Sequence, residues 1–176
     1  IKILSKSLIL YFFLTSILFS QIINQIEVNG NKRFTAESVI VFSKLNVGDE
    51  YNNNIINDAL KNLYDTNFFE DIKISFEDNK IIIDLIENPI VEKINITGVK
   101  KQSFLDFIND SLYLEERSSF TKISLDRDIN LINNILKTNG YYFSNINTSF
   151  DINEELNSIS LNIDIDLGEK AKISNI

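Results

Sequence analysis

From residue 22 the apolar positions change period in a fixed order, and that order occurs twice. Ile26 and Val28 alternate with Glu27 and Asn29, predicting a strand over 22–29. Phe34-Thr35 opens a first helix, with Thr35 as N-cap and Phe34 packing on Val39 as a hydrophobic staple. Gly48 interrupts the chain before a second helix, about 53–66, in which Ile56, Leu60, Leu63 and Tyr64 form one stripe. Asn67 stands just past its end, where a left-handed residue is wanted. A hairpin follows: Ile72, Ile74 and Phe76 alternate with Lys73, Ser75 and Glu77, Asp78-Asn79 turns, and Ile81, Ile83 and Leu85 return. Ile82 and Ile86 leave the second face of that return strand less polar.

The plan then repeats. A strand is expected over 91–97 and a short helix over about 102–110, using Phe104, Phe107 and Ile108. A longer helix is expected over about 125–138, with Ser124 as cap and Leu125, Ile129, Ile132 and Leu136 on one side. Gly140 ends it. Tyr141-Tyr142-Phe143 reads first as the start of a core strand running 142–153, with an exposed aromatic patch for a partner as the alternative. In the last segment, 158–167, Ile159, Leu161, Ile163, Ile165 and Leu167 go to one face and Ser160, Asn162, Asp164 and Asp166 to the other. Such strict alternation describes a sheet with one buried and one wet face. The fold class is therefore α+β: two β-α-α-β-β modules, each a three-stranded mixed sheet covered on one face by two helices.

The repetition is also literal. Ile26-Glu-Val-Asn-Gly30 returns as Ile94-Asn-Ile-Thr-Gly98, 68 positions later, and Asn67-Phe-Phe69 answers to Gly140-Tyr-Tyr142. Ala171-Lys-Ile-Ser-Asn-Ile176 begins the phrase again, the mark of modules in series and of a chain expected to continue. The predicted organisation is residues 1–20, 21–89, 90–168 and the start of a third module at 169–176. Gly30, Asn67, Pro89, Gly98 and Gly140 are assigned structural roles at element boundaries. The short link at 87–91 holds Pro89, and it is expected to stiffen the chain and to be cut first by proteases.

The first twenty residues differ. Lys2 and Lys6 precede an apolar run from Leu8 to Phe19, closed by Ser20. The run is too short for a spanning helix, and its layout is that of a cleaved secretory signal. Its removal takes two Lys and no acid, changing the net charge from −8 to −10. An acidic chain is a poor nucleic-acid ligand. With no Cys and no His, thiol nucleophiles, imidazole bases and the common zinc sites are excluded. The single glycines form no phosphate loop. Asp126-Arg-Asp128, Glu115-Glu116 and Asp164-Ile-Asp166 read as solvated carboxylates, with Asp126 and Asp128 in the first turn of a helix. The reading is a non-enzyme without cofactor or metal.

Taken together, Gly30-Asn-Lys-Arg-Phe34, Asn67-Phe-Phe-Glu-Asp-Ile72, Glu87-Asn-Pro-Ile90 and Leu167-Gly-Glu-Lys-Ala-Lys-Ile173 resemble POTRA domains, and more narrowly the N-terminal tandem POTRAs of the BamA-type outer-membrane assembly factors. Two positions depart from the family pattern: Asn67 where Gly is usual, and Leu167 where Glu is usual. The resemblance implies an exported chain at the periplasmic face of the bacterial outer membrane. It implies unfolded outer-membrane protein precursors, accessory lipoproteins of the assembly complex and a periplasmic chaperone as partners, with membrane contact through a C-terminal barrel. A translocation or two-partner secretion transporter, or a membrane-anchored division-type POTRA protein, remains open. Physics supplies a mechanism for the first reading. Exposed sheet edges add a strand from another chain through the main chain, with loose demands on its sequence. The candidate edges are 69–77 and 142–153, with Ile72, Lys73, Ile74, Ser75 and Phe76 on one and Ile146, Asn147, Thr148, Ser149 and Phe150 on the other. Proline at Lys73 or Asn147 is the expected probe of those edges.

Overall fold

The computed structural model describes residues 21–171. The proposed signal at 1–20 and the last five residues of the expected third module lie outside the described residues. Of its start, Glu169, Lys170 and Ala171 are described and form no strand.

Two sheets of three strands stand in series. The first comprises β1 (Gln25–Asn29), β2 (Phe69–Glu77) and β3 (Lys80–Glu87), in the order β1-β3-β2. β1 is parallel and β2 antiparallel to the central β3. Between β1 and β2 run α1 (Ala36–Ser43) and α2 (Asn53–Asp65). The second sheet has β4 (Ile90–Thr97), β5 (Asn145–Asn153) and β6 (Ser158–Asp166) in the order β4-β6-β5, with the same pairing sense, and its helices are α3 (Gln102–Asn109) and α4 (Lys122–Thr138). Each module has its own apolar core. Ile81, Ile83 and Leu85 of β3 meet Val39, Ala59 and Leu63 in one. Leu161, Ile163 and Ile165 of β6 meet Ile108, Leu125, Ile132 and Leu136 in the other. The central strands are buried because the period-2 pattern turns every second Ile or Leu toward the helices.

Local chemistry sets most boundaries as read. Thr35 caps α1 by accepting from the Ser38 N–H, and Asn52 caps α2 through the Asn54 and Ile55 N–H groups. Asn67 has φ 58°. The Asp78-Asn79 turn has φ 50° and 62°, the left-handed pair that suits a two-residue hairpin. Gly30 and Gly98 have φ 83° and 88°, and any Cβ there would collide with the Leu85 or Ile165 carbonyl respectively, so both closely approached strand ends require glycine.

Four expectations are corrected. The first strand is shorter than 22–29, because Ile22 and Ile23 instead pair with the 48–50 loop. α4 starts three residues early: Thr121, not Ser124, is the cap, and it accepts from the Ser124 N–H at 3.0 Å. β5 starts at Asn145, leaving Tyr142 and Phe143 60% and 76% exposed. Only Tyr141 of that trio packs on the core, stacked beside Phe104. Phe107 is likewise exposed on α3, whose buried side is carried by Ile108.

The link is also tighter than its sequence suggests. Glu87 and Asn88 are buried. The Glu87 carboxylate accepts from the N–H groups of Lys32 (2.8 Å), Arg33 (3.0 Å) and Phe34 (3.2 Å). Asn88 donates from its backbone to the Phe68 carbonyl and from its side chain to that of Asn67. The Pro89 carbonyl accepts from the Phe120 N–H at 2.8 Å, and Asn157 Nδ2 donates to the Glu87 carbonyl at 3.1 Å. A buried, hydrogen-bonded backbone is a poor protease substrate. Limited proteolysis is therefore expected to cut the exposed 154–156 turn before 87–91; early cleavage at the link would contradict this packing.

Candidate functional site: the sheet edges

The side on which an edge strand offers its main chain follows from the hairpin. Glu77 pairs with Lys80 across a two-residue turn, so they form a hydrogen-bonded pair, and Ser75 and Lys73 repeat it toward β3. Ile72, Ile74 and Phe76 then point N–H and C=O outward. The Ile72 N–H agrees: it donates to Tyr64 Oη at 3.2 Å and to Asp71 Oδ1 at 3.0 Å. The second module has the same frame, since Ile146 faces Ile165 as Ile72 faces Leu85, and Gly98 and Gly30 abut those two partners. Ile146, Thr148, Phe150 and Ile152 are thus the outward residues of β5. Lys73 and Asn147 point inward, so proline at either removes a ladder hydrogen bond and damages the sheet instead of probing its edge.

The structure places all ten candidate residues on two outer strands. On β2, Ile72 is buried, Ile74, Ser75 and Phe76 are half-buried and Lys73 is exposed. On β5, Ile146 is half-buried, while Asn147, Thr148, Ser149 and Phe150 are exposed.

The four edges are not equally open. β1 has five residues and carries Glu27, whose carboxyl is held below its usual range by the hydrogen bond and charge of Lys80 at 2.9 Å. The start of β4 is covered by the 117–119 loop: Val91 exchanges main-chain hydrogen bonds with Arg117 and Ser118. β2 has a bulge between Phe69 and Asp71, its Ile72 donor is occupied, and Tyr51 stacks on Phe76 at 4.0 Å. β5 pairs over nine residues without a register shift. Its Phe150 touches Phe120 edge-on at 5.4 Å, and Ile152 is 70% exposed. Beside that end of β5 a groove of about 330 Å³ is lined by Glu70, Pro89, Phe120, Phe150 and Ile152, continuing into a second of about 540 Å³ past Tyr64 and Ile123.

Sequence reasoning missed the parts that build this junction. Arg33 Nη2 donates to Ser119 Oγ at 3.1 Å, and its guanidinium lies 4.6 Å from the Phe34 ring centroid. Asp128, read as solvated, is fully buried and accepts from the Tyr113 and Leu114 N–H groups at 2.8 and 2.9 Å. The helix starts one turn earlier than expected, which moves Asp128 from the first turn into the inward stripe with Leu125 and Ile132. Asp126, Glu115, Glu116, Asp164 and Asp166 are exposed as expected. Among the described residues no acidic cluster is placed to hold a metal ion.

The POTRA family model, described as a surface antigen variable number repeat, matches twice, over residues 21–88 and 89–168. The outer membrane protein assembly factor BamA of Neisseria meningitidis serogroup B is 27% identical over 157 residues, covering 88% of this chain and 19% of that protein. BamA of Buchnera aphidicola is 27% identical over 164 residues, covering 88% and 25%. The chain thus spans a quarter or less of these relatives. Among solved structures, the N-terminal domain of Omp85 from Thermosynechococcus elongatus superposes with a TM-score of 0.54 at 14% identity, covering 88% of this chain and 72% of that one. The first two POTRA domains of Omp85 from Anabaena give 0.50 at 16% identity, covering 85% and 97%. At such identity the likeness speaks for the fold. With both modules matched and both β-α-α-β-β sheets in place, this chain belongs to the POTRA family.

Proposed function

We propose that this chain is the periplasmic POTRA region of an outer-membrane protein assembly factor. It binds extended segments of unfolded β-barrel precursors by adding them to its sheet edges, and so holds them for folding and membrane insertion. Accessory lipoproteins of the assembly complex and a periplasmic chaperone are the further partners, and the barrel expected in the whole protein supplies the membrane contact. The observation that carries the reading is the pair of outer strands β2 and β5, whose alternate residues aim N–H and C=O groups away from the sheet. Main-chain pairing gives affinity without demanding a sequence, which suits a receptor for many different precursors. The family and the 27% identity to BamA proteins support the setting.

The test is binding of a synthetic peptide of alternating Val and Thr, read by fluorescence anisotropy. Proline at the outward positions Ile74 and Thr148 should weaken binding in chains that remain folded. Alanine at Lys73, Ser75, Asn147 or Ser149 should change it by less than about twofold, since side chains contribute little to augmentation. If the folded proline variants bind like the parent while one alanine abolishes binding, recognition is by side chains and the reading fails.

A further inference from the structure

We infer that β5 is the receiving edge of this chain, and that it accepts an amphipathic extended segment of another protein carrying a basic residue on its polar face. This rests on the edge-pairing reading above and goes beyond it by choosing the strand and the chemistry of its occupant.

Proteins guard free edges with charge, bulges, short strands or covering loops, because an unguarded edge pairs with whatever is extended nearby. Three of the four edges here carry such guards. β1 is short and ion-paired, β4 is shifted in register and overlaid by the 117–119 loop, and β2 combines a bulge, an occupied Ile72 donor and four charged residues, Glu70, Asp71, Lys73 and Glu77. Among the described residues β5 has no bulge, no covering loop and no ion pair, and it is nine residues long. Its nine residues hold no Lys, Arg or Pro and a single acid, Asp151. Among the described residues no side chain takes the N–H of Ile146, Thr148, Phe150 or Ile152. An edge left open in a chain that blunts the others is an edge kept for pairing.

The side chains of β5 then describe the occupant. On the helix side Phe150 and Ile152 run out past the helices, beside Phe120 and Pro89, so alternate residues of an added strand would meet an apolar shelf and the adjoining groove. On the other face the neighbours are Asn147, Ser149 and Asp151, then Asp164 and Asp166 on β6, with Glu154 and Glu155 at the turn. Among the described strand residues, the one cation on that face of the second sheet is Lys93, on the opposite edge strand β4. A cation on the incoming strand completes this surface. A second copy of the chain, itself at −8, would bring more acid to it.

Two peptides test this against the 176-residue chain. Both alternate Val and Thr; one carries a central Lys on the polar face and its twin a Glu. The Lys peptide should bind about two- to fivefold more tightly at low salt, a margin that closes as salt rises. Thr148→Pro should weaken its binding about tenfold, through loss of one main-chain hydrogen bond and a steric block, and Ile74→Pro less than about threefold. Circular dichroism and melting establish folding. Where Thr148→Pro unfolds the module, Ile152→Pro, near the strand end, carries the same test. If only Ile74→Pro weakens binding, edge pairing stands and the choice of β5 is overturned. If neither proline does, the edge-pairing reading itself fails. Equal binding of the two peptides overturns the basic occupant. Self-association in sedimentation that Thr148→Pro abolishes would make a second copy the occupant instead.

Discussion

Replacing Glu87 by Leu is expected to cost module one about 2–4 kcal/mol, the cost of removing a buried carboxylate from three part-buried main-chain donors. The Glu87 side chain is 2% exposed; its Oε1 accepts from the N–H groups of Lys32, Arg33 and Phe34, and Oε2 shares the Arg33 N–H at 3.1 Å. These three consecutive donors lie between the end of β1 and the Thr35 cap, with no helix or sheet partner of their own. Leu fills the space and satisfies none of them. At roughly 4–8 °C per kcal/mol for a unit of this size, the midpoint of module one should fall by about 15 °C. Glu87→Gln, which keeps Oε1, should lose less than half as much. The Arg33 guanidinium is not the main partner, since its Nε stands 3.8 Å from Glu87 Oε2. The same substitution should expose the link: a chain whose 87–91 segment resists protease should become cleavable there. Equal melting of Glu87→Leu and parent, with the link still protected, would remove the carboxylate from this role.

In module two the residue in the place of Glu87 is Leu167, two positions beyond the strand residue that abuts the loop glycine. The sequence marks the departure, but a single acid among 25 in the chain does not announce what it holds. Its role lies in three N–H groups more than fifty residues away. The Ile-Leu alternation of 158–167 fixes β6 because it is buried on one face only, and period and burial then carry the same information. The left-handed positions Gly30, Gly98, Gly140 and Asn67 were readable because few residue types tolerate that backbone. The alternation predicts a strand from 142, yet β5 begins at Asn145, because Tyr142 and Phe143 satisfy the pattern while sitting outside the sheet. Apolar character there records an exposed aromatic turn, which periodicity cannot separate from a strand start. The edges themselves were identified from chain order. Which way Lys73 and Asn147 face was not, because that depends on the length of the hairpin turn and the pair it closes. The link reads as a stiff spacer from its proline, yet its protection comes from Asn157 and Phe120 of the next module.

Asp128→Ala is expected to destabilise module two by about 2–4 kcal/mol, by stranding the buried Leu114 N–H and the part-buried Tyr113 N–H. Leu114 is 3% exposed and Asp128 is fully buried, so water replaces the lost acceptors poorly. The consequence should extend beyond stability. Asp128 reaches back from α4 to the segment after α3, and Arg127 lies over the Tyr113 ring at 4.7 Å, fastening the same turn. That segment continues to Arg117 and Ser118, which pair with Val91, and to Phe120, which bonds Pro89 and supports Phe150. One buried carboxylate therefore anchors the loop that covers β4, closes the junction between modules and forms the wall beside β5. Hydrogen exchange in Asp128→Ala should quicken across 113–120 while the module-one amides keep their protection. Peptide binding at β5 should weaken even at temperatures where the variant remains folded, because the aromatic wall of the groove is no longer held. Asp128→Asn, which keeps one acceptor oxygen, should retain most of the protection. If Asp128→Ala melts with the parent, or melts early without faster exchange at 113–120, the carboxylate is not the anchor of that loop.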